Sequence, residues 1–207
     1  MTLEEERLAI EQVKNGNSGA FELLVLATQN DVYAVAYKML GNAEDALDAS
    51  QDAFIRAYTG ISKFRGDSKF SVWMYRITYN ICLDKLRKAK RQPAVSLERG
   101  DDEPEPQIAD NAPSPEERII SHETARLVRQ GLDSLSPKLR SVLVLREVSG
   151  LSYTEIATAT GLREGTVKSR INRARVALAK FIQDNGTFDG AERQNGVQKN
   201  GGGGDNA

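Results

Sequence analysis

Between residues 93 and 117 the chain reads PAVSLERGDDEPEPQIADNAPSPEE, with eight acids against one base and few side chains able to build a core. A segment this acidic and proline-containing cannot bury enough apolar surface to offset the entropy of ordering it, and is expected to be flexible. Whatever folds must fold on either side of it. The 207 residues are enough for two small domains, each with a modest core. The reading is therefore an all-α protein with two helical domains: one over 1–92, an acidic linker over 93–114, and a second domain over 115–183. The remainder, 184–207 with GGGG near its end, is expected to be disordered.

The second domain opens on a strong start signal, with Ser114 as N-cap, Pro115 in the first turn and Glu117 to close a capping box. Ser136-Pro137 opens the next helix in the same way. About four helices are expected, near 115–134, 137–148, 152–160 and 164–183. Ser152 and Glu155 form a capping box, and Gly161 supplies the backbone freedom for a tight turn. Beyond that turn Val167, Ile171, Ala174 and Leu178 fall on one stripe at about 100° per residue. The opposite face carries Thr166, Ser169, Asn172 and Arg173, flanked by Lys168, Arg170 and Arg175. A short capped helix, a glycine turn and a longer helix with a polar, basic outer face make a helix-turn-helix. Hydroxyl, amide and guanidinium groups there suit base edges in a major groove, and the flanking cations suit phosphates. The plain alternative is a solvated basic helix in an ordinary bundle.

In the first domain, residues 3–15 form a short helix that breaks at Gly16-Asn17. From Ala20, the residues Phe21, Leu24, Val25, Val32, Val35 and Met39 keep a helical period until Gly41-Asn42, and Asn42 can cap the next helix. There Leu47, Phe54, Tyr58 and Ile61 are expected on the buried side. Asp45, Asp48 and Asp52 fall within about 60° of one another on the far side. An acidic strip is either a solvated face or a grip for a basic protein. A third helix, roughly 71–90, is apolar nearly all round. Val72, Tyr75, Tyr79, Leu83 and Leu86 lie on one side; Met74, Ile77 and Ile81 lie on the other. Between them runs a seam of Arg76, Asn80, Asp84 and Arg87 with Trp73 at its upper end. Such a helix is expected to be buried on two sides. The preceding loop, KFRGDSKF (63–70), mixes aromatics with cations, which suits unpaired bases. The alternative is that Phe64, Phe70 and Trp73 are core.

Charge is distributed unevenly within an almost neutral total of −1. Residues 118–183 carry twelve bases against five acids, and five of the seven residues in KLRKAKR (85–91) are basic. The first sixteen residues, MTLEEERLAIEQVKNG, lack the basic start and apolar run of a signal peptide. No apolar run approaches the roughly 18 residues of a membrane span, so no membrane insertion is expected and the compartment is expected to be the cytosol. Cys82 and His122 are the only residues of their kinds. Neither an internal disulfide nor a cysteine-rich metal site can form, and no cofactor or catalytic centre is expected.

Three stretches carry a resemblance: NAEDALDASQDAFIRAY (42–58), FSVWMYRITYNICLDKLRK (70–88) and LSYTEIATATGLREGTVKSRINRAR (151–175). In this order and spacing, the chain over about 15–183 resembles an extracytoplasmic-function, or group IV, sigma factor of the bacterial sigma-70 family. The resemblance implies an alternative sigma factor, not an enzyme, with a region 2 and a region 4 domain. Asp45, Asp48, Gln51, Asp52 and Phe54 would dock on the clamp helices of the polymerase β′ subunit, and the second domain would meet the β flap. Lys63, Phe64, Arg65, Trp73, Arg76, Asn80 and Arg87 would open and read the −10 element, with one base flipped into a pocket. Arg163, Thr166, Lys168, Ser169, Arg170, Asn172, Arg173 and Arg175 would read the −35 element. The linker would thread the RNA-exit path, and an anti-sigma factor is the implied regulator. Arg163 and Glu164 stand in the turn before the reading helix, where many relatives carry smaller or apolar residues. Two rivals remain at this stage: a helix-turn-helix regulator that does not recruit polymerase, and a DNA-acting enzyme. The first half lacks the βα alternation of a receiver domain. Three aspartates on one helix make a poor metal cage.

Overall fold

The computed structural model describes residues 1–91 and 115–186, with side chains over 1–90 and 123–186. The linker, the Ser114 cap, Glu117, His122 and the tail from 187 onward lie outside the described residues or side chains. Eight α-helices are described: α1 (Leu3–Lys14), α2 (Ala20–Leu40), α3 (Ala43–Gly60), α4 (Phe70–Arg91), α5 (Pro115–Ser134), α6 (Pro137–Glu147), α7 (Tyr153–Thr160) and α8 (Glu164–Asn185). A short 3₁₀ turn, Ile61–Lys63, leads from α3 into the loop before α4.

The expected starts and stops hold with small changes. Asn42 caps α3, accepting from the Asp45 N–H at 2.8 Å. Gly41 ends α2 in the left-handed region at φ 72°, a conformation few side chains adopt. Ser152 and Glu155 form the reciprocal box on α7, and Gly161 closes that helix at φ 70°. Ser136 stands at the N-cap of α6, but its side chain makes no capping bond. Pro137 at the first turn, with its fixed φ, opens that helix instead.

Packing corrects one expectation. The buried face of α3 is made of Ala46, Ala49, Ser50, Ala53 and Ala57. Leu47 is 53% exposed and Tyr58 45% exposed; Phe54 is half-buried, and only Ile61 of the expected set is buried. Small residues let α3 lie close against α2 and α4, so its large side chains have no room inside. The stripe on α8 is as expected, with Val167, Ile171 and Ala174 buried and Leu178 half-buried.

α4 is the hub. Phe70, Val72, Met74, Tyr75, Tyr79, Ile81, Cys82 and Leu83 are all buried. One flank packs on α2 and α3, and the other meets α7 and α6 of the second domain. A single apolar cluster therefore runs from α1–α4 into Val142, Val144, Leu145, Leu151, Ile156, Ala159, Val167 and Ile171. The second domain also keeps a small core of its own, Leu132, Leu135, Leu143 and Ala174. In this structure the two domains are closed upon each other.

Candidate nucleic-acid and protein interfaces

Three surfaces carry the candidate residues. The first is the outer face of α8. Ser169, Asn172, Arg173, Arg163, Lys168 and Arg175 are exposed, and Thr166 and Arg170 are half-buried. Their freedom differs. Lys168 pairs with Glu164 at 2.9 Å, which raises the lysine's pKa and lowers the glutamate's. Glu164 also accepts from the Thr154 hydroxyl at 3.1 Å, tying α8 to α7. Arg175 is held by Glu147 at 2.6 Å, which raises its pKa. Arg173 Nε donates to the Ser169 carbonyl at 3.3 Å and stays on the open face. Burial pushes the Tyr79 phenol of α4 above its ordinary pKa, and the nearby Arg170 guanidinium offsets part of that rise.

The second surface is the loop before α4 and the seam along α4. Arg76, Asn80 and Arg87 are exposed, as are Lys63 and Arg65, and Trp73 is half-buried. Phe64 is the exception: only 5% exposed, its ring meets Phe70 at 6.1 Å and Trp73 at 5.1 Å. Phe64 and Phe70 are core, so no base can stack on them here. Trp73 alone of the three keeps an accessible part. The loop is braced from α1. Lys14 donates to the Phe64 carbonyl, and the Glu6 carboxylate accepts the Phe70 N–H at 2.8 Å, serving as a cap for α4. This brace was not foreseen from the sequence, because the Glu6 carboxylate lies 64 residues from the main chain it caps.

The third surface is the outer side of α3. Asp45, Asp48 and Gln51 are exposed, Asp52 and Phe54 half-buried. The acids edge a groove of about 700 Å³ between α3 and the end of α4, floored by Leu40, Ile81 and Leu86. Lys85 reaches across from α4 to bond Asp48 and stands 3.5 Å from Asp45, which raises its pKa. The strip is thus already partnered by one cation. Beside it lie exposed Leu47 and Ile55, the latter 62% exposed. Leu47 was expected on the buried side, and Ile55 was assigned to neither face. The alanines at 46, 49, 53 and 57 were the available signal.

Burial pushes the only thiol, Cys82, up to about 12, so it is chemically quiet. Among the described residues, no helix is long and apolar enough to cross a membrane.

The folded features define an all-α protein that carries a helix-turn-helix on α7 and α8 and an acidic and apolar outer face on α3. Residues 24–92 match the family described as Sigma-70 region 2, and residues 125–178 match Sigma-70, region 4. ECF RNA polymerase sigma factor SigW of Bacillus subtilis is 38% identical over 178 residues, covering 84% of this chain and 95% of that protein. RNA polymerase sigma-H factor of Pseudomonas aeruginosa is 38% identical over 187 residues, covering 88% and 96%. Among solved structures, CnrH in complex with the cytosolic domain of CnrY matches with a TM-score of 0.66 at 27% identity, covering 87% of this chain and 99% of that one. The chain belongs to the extracytoplasmic-function sigma factors of the sigma-70 family.

Proposed function

We propose the following division of labour for this sigma factor, which binds core RNA polymerase and directs it to promoters from the cytoplasm. The α3 face docks on the β′ clamp helices through Asp45, Asp48, Gln51, Asp52 and Phe54, with Leu47 and Ile55 supplying the apolar contact. A basic side chain of the polymerase takes Asp48 by displacing Lys85. The loop at 63–69 offers main-chain groups, Lys63 and Arg65 to a flipped −10 base and its phosphates. Trp73, Arg76, Asn80 and Arg87 follow the separated strand. Unstacking costs a few kcal/mol and is repaid only where the right base fits, which makes opening sequence-dependent. The outer face of α8 reads the −35 element, with Asn172 and Arg173 toward base edges and the flanking cations on phosphates. The second domain rests on the β flap.

One observation carries this reading: α3 turns its large apolar residues and its acids outward together. A regulator that only bound DNA would have no use for such a face, and this face lies on the helix next to the −10 seam. CnrH was solved in complex with the cytosolic domain of CnrY, and we infer that this chain too is bound by a partner protein, one that acts as its anti-sigma factor. The reading needs no catalytic centre and no cofactor.

Run-off transcription with core polymerase and a promoter library tests it. Transcripts that start only when the protein is added support the reading and yield both promoter elements. DNA binding without initiation would instead support a helix-turn-helix regulator.

A further inference from the structure

We propose that the free protein rests in the closed arrangement and that Arg140 of α6 is the latch that holds it. Arg140 is 7% exposed, and its guanidinium bridges the two domains. On its own side, Nη1 pairs with the Asp133 carboxylate at 2.8 Å and Nη2 donates to the Asp133 carbonyl at 2.7 Å. Across the boundary, Nη1 donates to the Met39 carbonyl at 3.0 Å. Met39 lies in the last turn of α2, where carbonyls lack intrahelical partners and the helix carries its partial negative charge. A cation of the second domain thus caps a helix of the first, and Asp133 aims it.

The neighbouring residues fit a made contact. A Cβ on Gly41 would stand 3.1 Å from the Asp133 carboxylate, so a side chain at position 41 would press on the residue that aims Arg140. The Arg129 guanidinium lies over the Tyr37 ring at 5.4 Å.

The closed form does not hide the reading faces: Arg76, Asn80 and Arg87 are exposed, as are Ser169, Asn172 and Arg173. It sets them too close together. A compact body of about 160 residues is about 40 Å across. Elements centred about 25 base pairs apart on B-DNA are separated by about 85 Å. The closed protein can therefore address one element but not both, a consequence that rests on the sigma-factor reading. Opening must part α6 and α7 from α2 and α4. The 93–114 segment, at about 3.4 Å per extended residue, has contour for about 75 Å of separation. A guanidinium suits a buried boundary contact, because it is more weakly hydrated than an ammonium and its fork meets several acceptors at once.

The test uses the full chain with spin labels on E22C and K180C, both exposed positions on opposite domains; buried Cys82 does not compete for label. Pulsed dipolar spectroscopy should give one narrow distance for the parent. Arg140→Ala should add a longer population and raise the open-to-closed ratio about tenfold or more, the scale of a charged hydrogen bond. A broad distribution in the parent, or an unchanged narrow one in the variant, overturns the proposal. Should Arg140→Ala lose helix content by circular dichroism, Arg140→Lys decides: an intermediate open population supports the latch and an unchanged distance refutes it. Run-off transcription separates the two ideas. If Arg140→Ala opens while neither protein initiates, the sigma-factor reading fails and the latch stands.

Discussion

α3 and α8 are both surface helices with one face inward, and they solve that problem in opposite ways. α8 turns Val167, Ile171 and Leu178 into its domain and leaves amides, hydroxyls and guanidinium groups outside. α3 turns alanines inward and leaves Leu47, Ile55 and three aspartates outside. A helix seated on small residues gains close approach and has its large side chains left over. An outer face of cations and amides suits a polyanion with readable edges, whereas an acidic and apolar face suits a basic protein surface. Under the proposed function, that contrast separates the face assigned to polymerase from the face assigned to duplex DNA.

The contrast can be broken most forcefully at α3. Asp48→Lys with Asp52→Lys should abolish core-polymerase binding in a pull-down while the circular dichroism spectrum stays that of the parent. Binding that survives the pair would remove α3 as the dock. Next in size, Ala53→Leu should destabilise the first domain by about 1–3 kcal/mol in urea unfolding, because a fully buried alanine site has no space for three more carbons. A neutral result would show that α3 is not closely seated. On α8, Arg173→Ala should cost about 1–3 kcal/mol and relax −35 preference in a binding-site selection. An even loss across all sequences would place Arg173 on phosphate instead.

The smallest effect concerns the cap of α7. Ser152→Ala should cost about 1 kcal/mol of stability at neutral pH. The bond from the Ser152 main chain, with the Ser152 hydroxyl, holds the Glu155 carboxyl below its usual 4.5. A carboxyl whose folded pKa is depressed stabilises the fold above its unfolded value, and that contribution disappears as pH falls through the folded value. The difference between parent and Ser152→Ala should therefore narrow on acidification below about pH 4.5, as read from thermal midpoints. The main-chain bond is present in both proteins, so a constant difference would mean that the Ser152 hydroxyl adds nothing to the hold on Glu155.

The helix-turn-helix was legible because each of its devices is local: a box of two side chains, one glycine and a stripe spaced four, three and four. α3 was misread because the usual rule sends large apolar residues inward, and only the run of alanines signals that a helix breaks it. α4 was read correctly as apolar all round, and its meaning emerges from the packing. The second apolar flank, with Tyr75 and Tyr79, is covered by the other domain. Arg140 was invisible in PKLRSV, where nothing marks one arginine as buried. The contact it makes lies 101 residues away in the chain. The base-stacking assignment of Phe64 failed for a related reason: an aromatic in a short basic loop has the same appearance whether it faces solvent or anchors the loop.

The brace from α1 onto the loop has a genetic consequence. Glu6 and Lys14 hold the main chain at Phe70 and Phe64, the two ends of the segment proposed to meet the opened strand. A substitution at either would leave every DNA-facing side chain intact and still shift the frame on which they are mounted. Alleles selected for altered promoter choice should thus include changes in this first helix, where a map of contacts alone would count them as bystanders.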